Sequence, residues 1–171
     1  IVFGDWSSDV CSSDLKPGQT IIEVATENGL DIPHFCWHPS LSVSGNCRMC
    51  LVEVEKMPKL VIACSTYAAE GMVVNVNSEK SVDARKAVME FILINHPLDC
   101  PICDEAGECK LQDYTFSHSV GESRFVEEKQ HKNKRVQLGP RIIFDGERCI
   151  SCSRCIRSEE HTSELQSPNT I

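Results

Sequence analysis

Apolar positions recur along this chain in two registers. Cys50-Leu-Val-Glu-Val-Glu55 and Met72-Val-Val-Asn-Val76 alternate, which predicts short strands, and Lys59-Leu-Val-Ile-Ala63 predicts another. Ile21-Ile-Glu-Val-Ala-Thr26 fits either a strand end or a first helical turn capped by Thr20, closed by Asn28-Gly29 because glycine takes left-handed backbone cheaply. Val82, Ala84 or Arg85, Val88, Met89, Phe91 and Ile92 return at three and four. They predict a helix from a cap at Asn77 or Ser78 to near Asn95, where Pro97 disfavours helical geometry in the residue before it. Glu79 meets the positive end of that helix's dipole. Lys110-Leu-Gln-Asp113 predicts one further helical turn.

Residues 117–135 are polar and read as a solvated loop. Their basic stretch, Lys129-Gln-His-Lys-Asn-Lys-Arg135, also suits docking onto an acidic neighbour. Gly139-Pro140 predicts a turn, Arg141-Ile-Ile-Phe144 a brief strand and Asp145-Gly146 a tight turn. Strands this short, with one short helix, bury too little to stand alone comfortably. A metal centre would supply the missing stability by coupling ligation to folding.

Both ends read as foreign to the protein. Asp9-Val-Cys-Ser-Ser-Asp-Leu15 back-translates to GAC GTG TGC TCT TCC GAT CT, and the reverse complement of that strand encodes Arg-Ser-Glu-Glu-His-Thr in another frame. Those are residues 157–162, so the two ends look like opposite strands of one sequencing-library adapter. Residues 1–15 and 158–171 are therefore expected to be artefact, which dismisses Cys11 and His161 as sites. Six of the 25 acidic residues fall in these ends, leaving 19 against all 17 Lys and Arg, so the formal charge drops from −8 to −2. A near-neutral balance suggests neither nucleic acid nor an anionic membrane as partner. No apolar run is long enough for a signal peptide or a membrane span, so direct membrane insertion is not expected.

The remaining ten cysteines come in tight sets, unlike a secreted disulfide scaffold. Cys36, Cys47, Cys50 and Cys64 combine one close pair with two outlying thiols, the general logic of a plant-type [2Fe–2S] site, although the gap from Cys36 to Cys47 is long for it. Ser44-Gly45-Asn46 would bring backbone amides to inorganic sulfur, and Arg48 would balance charge. Tetrathiolate zinc is the rival, but zinc more often uses two close pairs. His96, Cys100, Cys103 and Cys109 suit either zinc or an iron–sulfur cluster with one neutral ligand. Cys149, Cys152 and Cys155, with two successive two-residue gaps, suit three corners of a cubane. The ferredoxin-type position for its fourth ligand is Glu159, inside the adapter-like end. His34 and His38 read as surface or supporting groups, and His118 and His131 as loop residues. Neither Gly-x-Gly-x-x-Gly nor a P-loop occurs, so nucleotide chemistry would lie elsewhere and electron transfer remains.

Several segments resemble the N-terminal part of the large iron–sulfur subunit of respiratory complex I, the NADH:quinone oxidoreductase. They are Ile32-Pro-His-Phe-Cys36, Gly45-Asn-Cys47-Arg-Met-Cys50-Leu-Val-Glu-Val54, Ile94-Asn-His96-Pro-Leu-Asp-Cys100-Pro-Ile-Cys103 and Gly107-Glu-Cys109-Lys-Leu-Gln-Asp113. Glu122-Ser-Arg-Phe125, Leu138-Gly-Pro140 and Arg148-Cys149-Ile-Ser-Cys152-Ser-Arg-Cys155-Ile-Arg157 complete the set. The resemblance implies an α+β chain in three parts: a β-grasp [2Fe–2S] ferredoxin domain over 16–78, a small helical [4Fe–4S] domain with one histidine and three cysteine ligands over 79–118, and the start of a further [4Fe–4S] domain over 119–157. It implies that Cys36, Cys47, Cys50 and Cys64 hold the first cluster and His96, Cys100, Cys103 and Cys109 the second. Cys149, Cys152 and Cys155 would hold three corners of the third, whose fourth ligand lies further along. The implied partners are a flavin and NADH-binding subunit and the quinone-side iron–sulfur subunits, in the peripheral arm on the cytoplasmic side of the bacterial inner membrane. The fragment alone is not expected to be catalytic. Electron-transfer subunits of NAD-reducing hydrogenases, iron-only hydrogenases and NAD-dependent formate dehydrogenases share this front end and are the alternative, with a zinc-bound structural module as another.

Overall fold

The computed structural model describes residues 2–3, 15–119 and 121–163, and the side chains of 15–119 and 121–158. Cys11 lies outside the described residues, and His161 is described for its backbone alone. The architecture is α+β, as expected. Strands β1 (Val2–Phe3), β2 (Leu51–Val54), β3 (Val61–Ile62) and β4 (Val73–Asn75) form one mixed sheet in the order β1-β4-β2-β3. β1 runs parallel to β4, with Val2 opposite Val73, while β2 is antiparallel to both β4 and β3. This pairing draws Val2–Phe3, inside the segment read as foreign, onto the sheet edge.

The ambiguous 21–26 segment is helix α1 (Ile21–Glu27). The Glu23 carboxylate accepts from both the backbone N–H and the hydroxyl of Thr20, each at 2.8 Å, which fixes the first turn. The N–H groups of Ile21 and Ile22, which no intrahelical carbonyl can satisfy, donate to the carbonyls of Thr66 and Ala63 at 2.9 and 3.1 Å. α1 is thereby seated on the turn that carries Cys64. Its Ile21, Ile22, Val24 and Ala25 pack with Val52, Val54, Val74 and Trp37 into a first core that also encloses Cys50 and Cys64.

Helix α2 (Glu79–Leu93) starts where expected, with the Ser78 hydroxyl accepting from the Ser81 N–H at 3.3 Å. It packs against β2 on one side and α3 on the other. Arg85, on the face read as apolar, is fully buried and donates to the Val76 carbonyl and to Asn77 Oδ1. After a 3-10 turn at Cys100–Ile102 comes α3 (Lys110–His118), nine residues where one turn was predicted. Its Leu111 and Tyr114 close a second core with Phe35, Met49 and Met89, and that burial extends the helix beyond its local propensity. His118 belongs to this helix, its ring beside Tyr114, and not to a polar loop.

The predicted strand at 141–144 is β6 (Ile143–Phe144), paired antiparallel with β5 (Val136–Gln137), which the pattern did not announce. α4 (Arg154–Ser163) follows. The basic stretch is used within the fold. Lys129 Nζ donates to the carbonyls of Leu93 and Ile94 at 2.8 and 2.9 Å, closing the C-terminal end of α2, while His131 and Lys134 both bind Glu147 at 2.9 Å. Lys129, His131 and Lys134 are thus engaged within the fold, while Lys132 and Arg135 are exposed.

Candidate metal centres

The first set converges at the junction of the two cores. Cys36, Cys50 and Cys64 are buried and Cys47 half-buried. The thiols touch as Cys36 with Cys47 and Cys50 with Cys64, and Cys36 also meets Cys64. Left-handed backbone at Gly45 (φ 64°) and Arg48 (φ 59°) folds the loop so that the amides of Cys47 and Asn46 point at the Cys36 sulfur. A Cβ at Gly45 would stand 3.1 Å from Ile62 Cδ1. Hydrogen bonds from the Cys47 and Cys64 thiols hold Cys36 well below the ordinary thiol range, and the same contacts push Cys47 and Cys64 up. The contact with Cys64 lowers Cys50. Arg48 is exposed, at the rim of the site.

The second set lies along one chain reversal. His96 follows the end of α2, Cys100 opens the 3-10 turn, Cys103 closes it with its N–H on the Cys100 carbonyl at 3.3 Å, and Cys109 caps α3. All four line one cavity of about 890 Å³, together with Leu111, Phe116 and Arg148. Burial and then the Lys129 charge keep the His96 imidazole below its usual value, hence neutral and able to ligate.

The third set runs along an extended segment into α4. Cys149 and Cys152 are half-buried and Cys155 is exposed. Left-handed backbone at Ser151 (φ 56°) and Ser153 (φ 59°), uncommon for serine, turns this segment back on itself, and the Ser151 N–H donates to Cys149 Sγ at 3.3 Å. Polar contacts lock it onto the first loop: Asn46 Nδ2 to the Ser151 carbonyl at 2.9 Å, the Ser153 hydroxyl to that of Ser44 at 3.1 Å, and Arg154 to the Trp37 carbonyl at 2.6 Å. The buried Arg157 donates to the carbonyls of Cys36, Ser42 and Ser153. Motif reading passed over these arginines, although Arg154 inside the cysteine triplet and Arg157 two residues past it were a usable signal.

The three sets meet around one core. The cluster of Phe35, Met49, Met89, Leu111 and Tyr114 packs against Cys47, Cys109 and Cys152, one thiol from each set. A cavity of about 460 Å³ likewise touches Cys47, His96 and Cys149. The remaining histidines have other roles. His34, read as surface or supporting, is buried, with Nδ1 at 2.7 Å from the Ile32 carbonyl and its ring edge-on to Trp37. His38 is exposed and accepts from the Ser40 N–H at 3.2 Å.

Among the described residues, no group of three or more His, Cys, Asp or Glu is arranged to hold a single metal ion. Tetrahedral zinc asks for four ligands about 2.3 Å from one point when they are sulfur. A two-iron centre asks for two pairs, one to each iron, and the Cys36–Cys47 and Cys50–Cys64 contacts fit that demand. In the second set the four donors line one cavity, as corners of a polynuclear cluster require.

Residues 13–79 match the model of a 2Fe-2S iron–sulfur cluster binding domain, and residues 85–124 match the NADH-ubiquinone oxidoreductase-G iron–sulfur binding region. The NADH-quinone oxidoreductase G subunit of Rickettsia felis is 49% identical over 158 residues, which is 92% of this chain and 23% of that protein. Its Rickettsia bellii counterpart is 48% identical over the same shares. The chain thus spans less than a quarter of the length of these relatives. A solved NAD+-reducing [NiFe]-hydrogenase chain superposes with a TM-score of 0.78 at 31% identity, covering 86% of this chain and 62% of that one. The sheet with α1 is thus a 2Fe-2S ferredoxin-like domain, followed by the helical iron–sulfur region of α2 and α3.

Proposed function

Because the chain belongs to the family of the NADH-quinone oxidoreductase G subunit through its iron–sulfur binding region, we propose that it conducts electrons through clusters held by its three ligand sets. One observation supports this above the rest: a single apolar core touches a candidate ligand from each set, so the centres share one rigid mount. On this reading Cys36, Cys47, Cys50 and Cys64 hold a [2Fe–2S] cluster, and His96, Cys100, Cys103 and Cys109 a [4Fe–4S] cluster with one nitrogen ligand. Cys149, Cys152 and Cys155 supply three ligands of a second [4Fe–4S] cluster. When bound, the clusters supply the one-electron chemistry. The chain buries Cys36, Cys50 and Cys64 away from water, aims the Asn46 and Cys47 amides at sulfur, and keeps His96 neutral. The partners would be a flavin and NADH-binding subunit upstream and quinone-side iron–sulfur subunits downstream. The setting would be the peripheral arm at the cytoplasmic face of the bacterial inner membrane. Among the described residues no helix is long and apolar enough to cross a membrane.

A second reading, an electron-transfer segment of an NAD-reducing hydrogenase, is favoured by the 0.78 superposition, but its 31% identity stands below the 49% of the quinone oxidoreductase relatives. Anaerobic purification followed by iron, sulfide and zinc analysis tests the cluster reading. Iron with acid-labile sulfide and visible absorbance is expected, with Cys64→Ser removing the [2Fe–2S] signal and His96→Ala altering a separate one. A colourless protein loaded with zinc would sink it.

A further inference from the structure

Asp99 immediately precedes Cys100, and Arg148 immediately precedes Cys149. Their side chains meet: Arg148 Nε lies 3.3 Å from an Asp99 oxygen and 3.4 Å from an Asp145 oxygen. All three side chains are about one quarter exposed, so the contact is only partly screened by water. Lys134 binds Asp99 from the other side and ties it to Glu147, whose side chain is 6% exposed. Asp145 is itself fixed, accepting from the backbone N–H groups of Glu147 and Arg148 at 3.0 and 3.2 Å. The arginine thus stands in a defined place. It lines the cavity that His96, Cys100, Cys103 and Cys109 also line, within electrostatic reach of the Cys103 sulfur.

We propose that Arg148, although it belongs to the third ligand segment, is a positioning residue for the His96 centre that holds a fixed positive charge beside it and raises its reduction potential. The inference rests on the assignment of His96, Cys100, Cys103 and Cys109 to one cluster made above. Adding an electron makes a cluster more negative, and a cation held in a partly buried site favours that reduced form. Asp99 and Asp145 keep the guanidinium from swinging into solvent, and its planar fork can face both carboxylates at once, which an ammonium does less well. The same ion pair ties the segment before Cys149 to the loop before Cys100, so the second and third sites are registered to each other by a residue that ligates neither.

The test is a redox titration, followed by electron paramagnetic resonance, of the full chain reconstituted anaerobically, with iron content measured in parallel. Arg148→Gln is expected to keep its iron and shift the midpoint of the His96-dependent signal to more negative potential. Arg148→Lys, which keeps the charge, is expected to fall between that variant and the parent. A parental midpoint in iron-replete Arg148→Gln would overturn the role of the arginine. If Arg148→Gln fails to load iron, Arg148→Lys decides: a midpoint below the parent's supports the proposal and a parental one overturns it. Spectra indifferent to His96→Ala would overturn the underlying cluster assignment as well, which separates the two failures.

Discussion

The Asn46 side-chain amide donates to the Ser151 carbonyl at 2.9 Å, joining loops 105 residues apart. Asn46 precedes Cys47 and Ser151 precedes Cys152, so this bond sets two candidate ligand loops against each other. It spans the seam between a ferredoxin-like domain and a segment with little regular structure of its own. Replacing Asn46 with Ala removes the donor and leaves the Ser151 carbonyl to water. The expected cost is about 1 kcal/mol, the usual net worth of one hydrogen bond. Alkylation of Cys149 and Cys152 in the metal-free chain should accelerate while Cys50 and Cys64 stay protected, as peptide mapping would show.

Met89 sits at the centre of the second core, fully buried. Met89→Ala leaves a cavity where α2, α3 and the Cys47 loop meet, with an expected loss of about 2–5 kcal/mol in chemical denaturation. Because that core touches a thiol of every set, iron content should fall for all three centres together. A loss confined to one centre would contradict the shared mount.

Lys129 closes α2 from 35 residues away, on the Ile94 carbonyl. Lys129→Met withdraws a cation from the negative end of the helix dipole and frees two carbonyls. The expected cost is about 1 kcal/mol. Amide exchange should quicken at residues 93–96 and remain unchanged in α1, which a hydrogen–deuterium map would resolve.

His118 offers a dependence on pH. Burial, and then the Arg85 charge, hold its imidazole below the ordinary value of 6.5. The unfolded chain therefore takes up this proton at a higher pH than the folded one. The contribution to stability is complete above pH 6.5 and is lost as pH falls through the folded value. His118→Asn should flatten that part of the stability curve relative to the parent. Melting temperatures of parent and variant across neutral to mildly acidic pH provide the measurement, since acid lability common to both cancels in the difference.

The local signals proved readable in the chain itself. Alternation placed β2 and β4, a short apolar run placed β3, the three-and-four return of Val88, Met89 and Ile92 placed α2, and Pro97 marked its end. The grouping of the candidate ligands was legible for the same reason, because cysteine spacing is a property of the covalent chain. Tertiary structure decided what depends on partners far away. Residues 21–27 became helix once Ala63 and Thr66 offered carbonyls to its free N–H groups, and α3 grew to nine residues because Leu111 and Tyr114 found Phe35 and Met89. In the basic stretch 129–135, Lys129 and Lys134 find their acceptors in Leu93, Ile94, Asp99 and Glu147, on other segments. A side chain's charge is written at its own position, whereas the group that answers it is chosen only when folding brings distant backbone within about 3 Å.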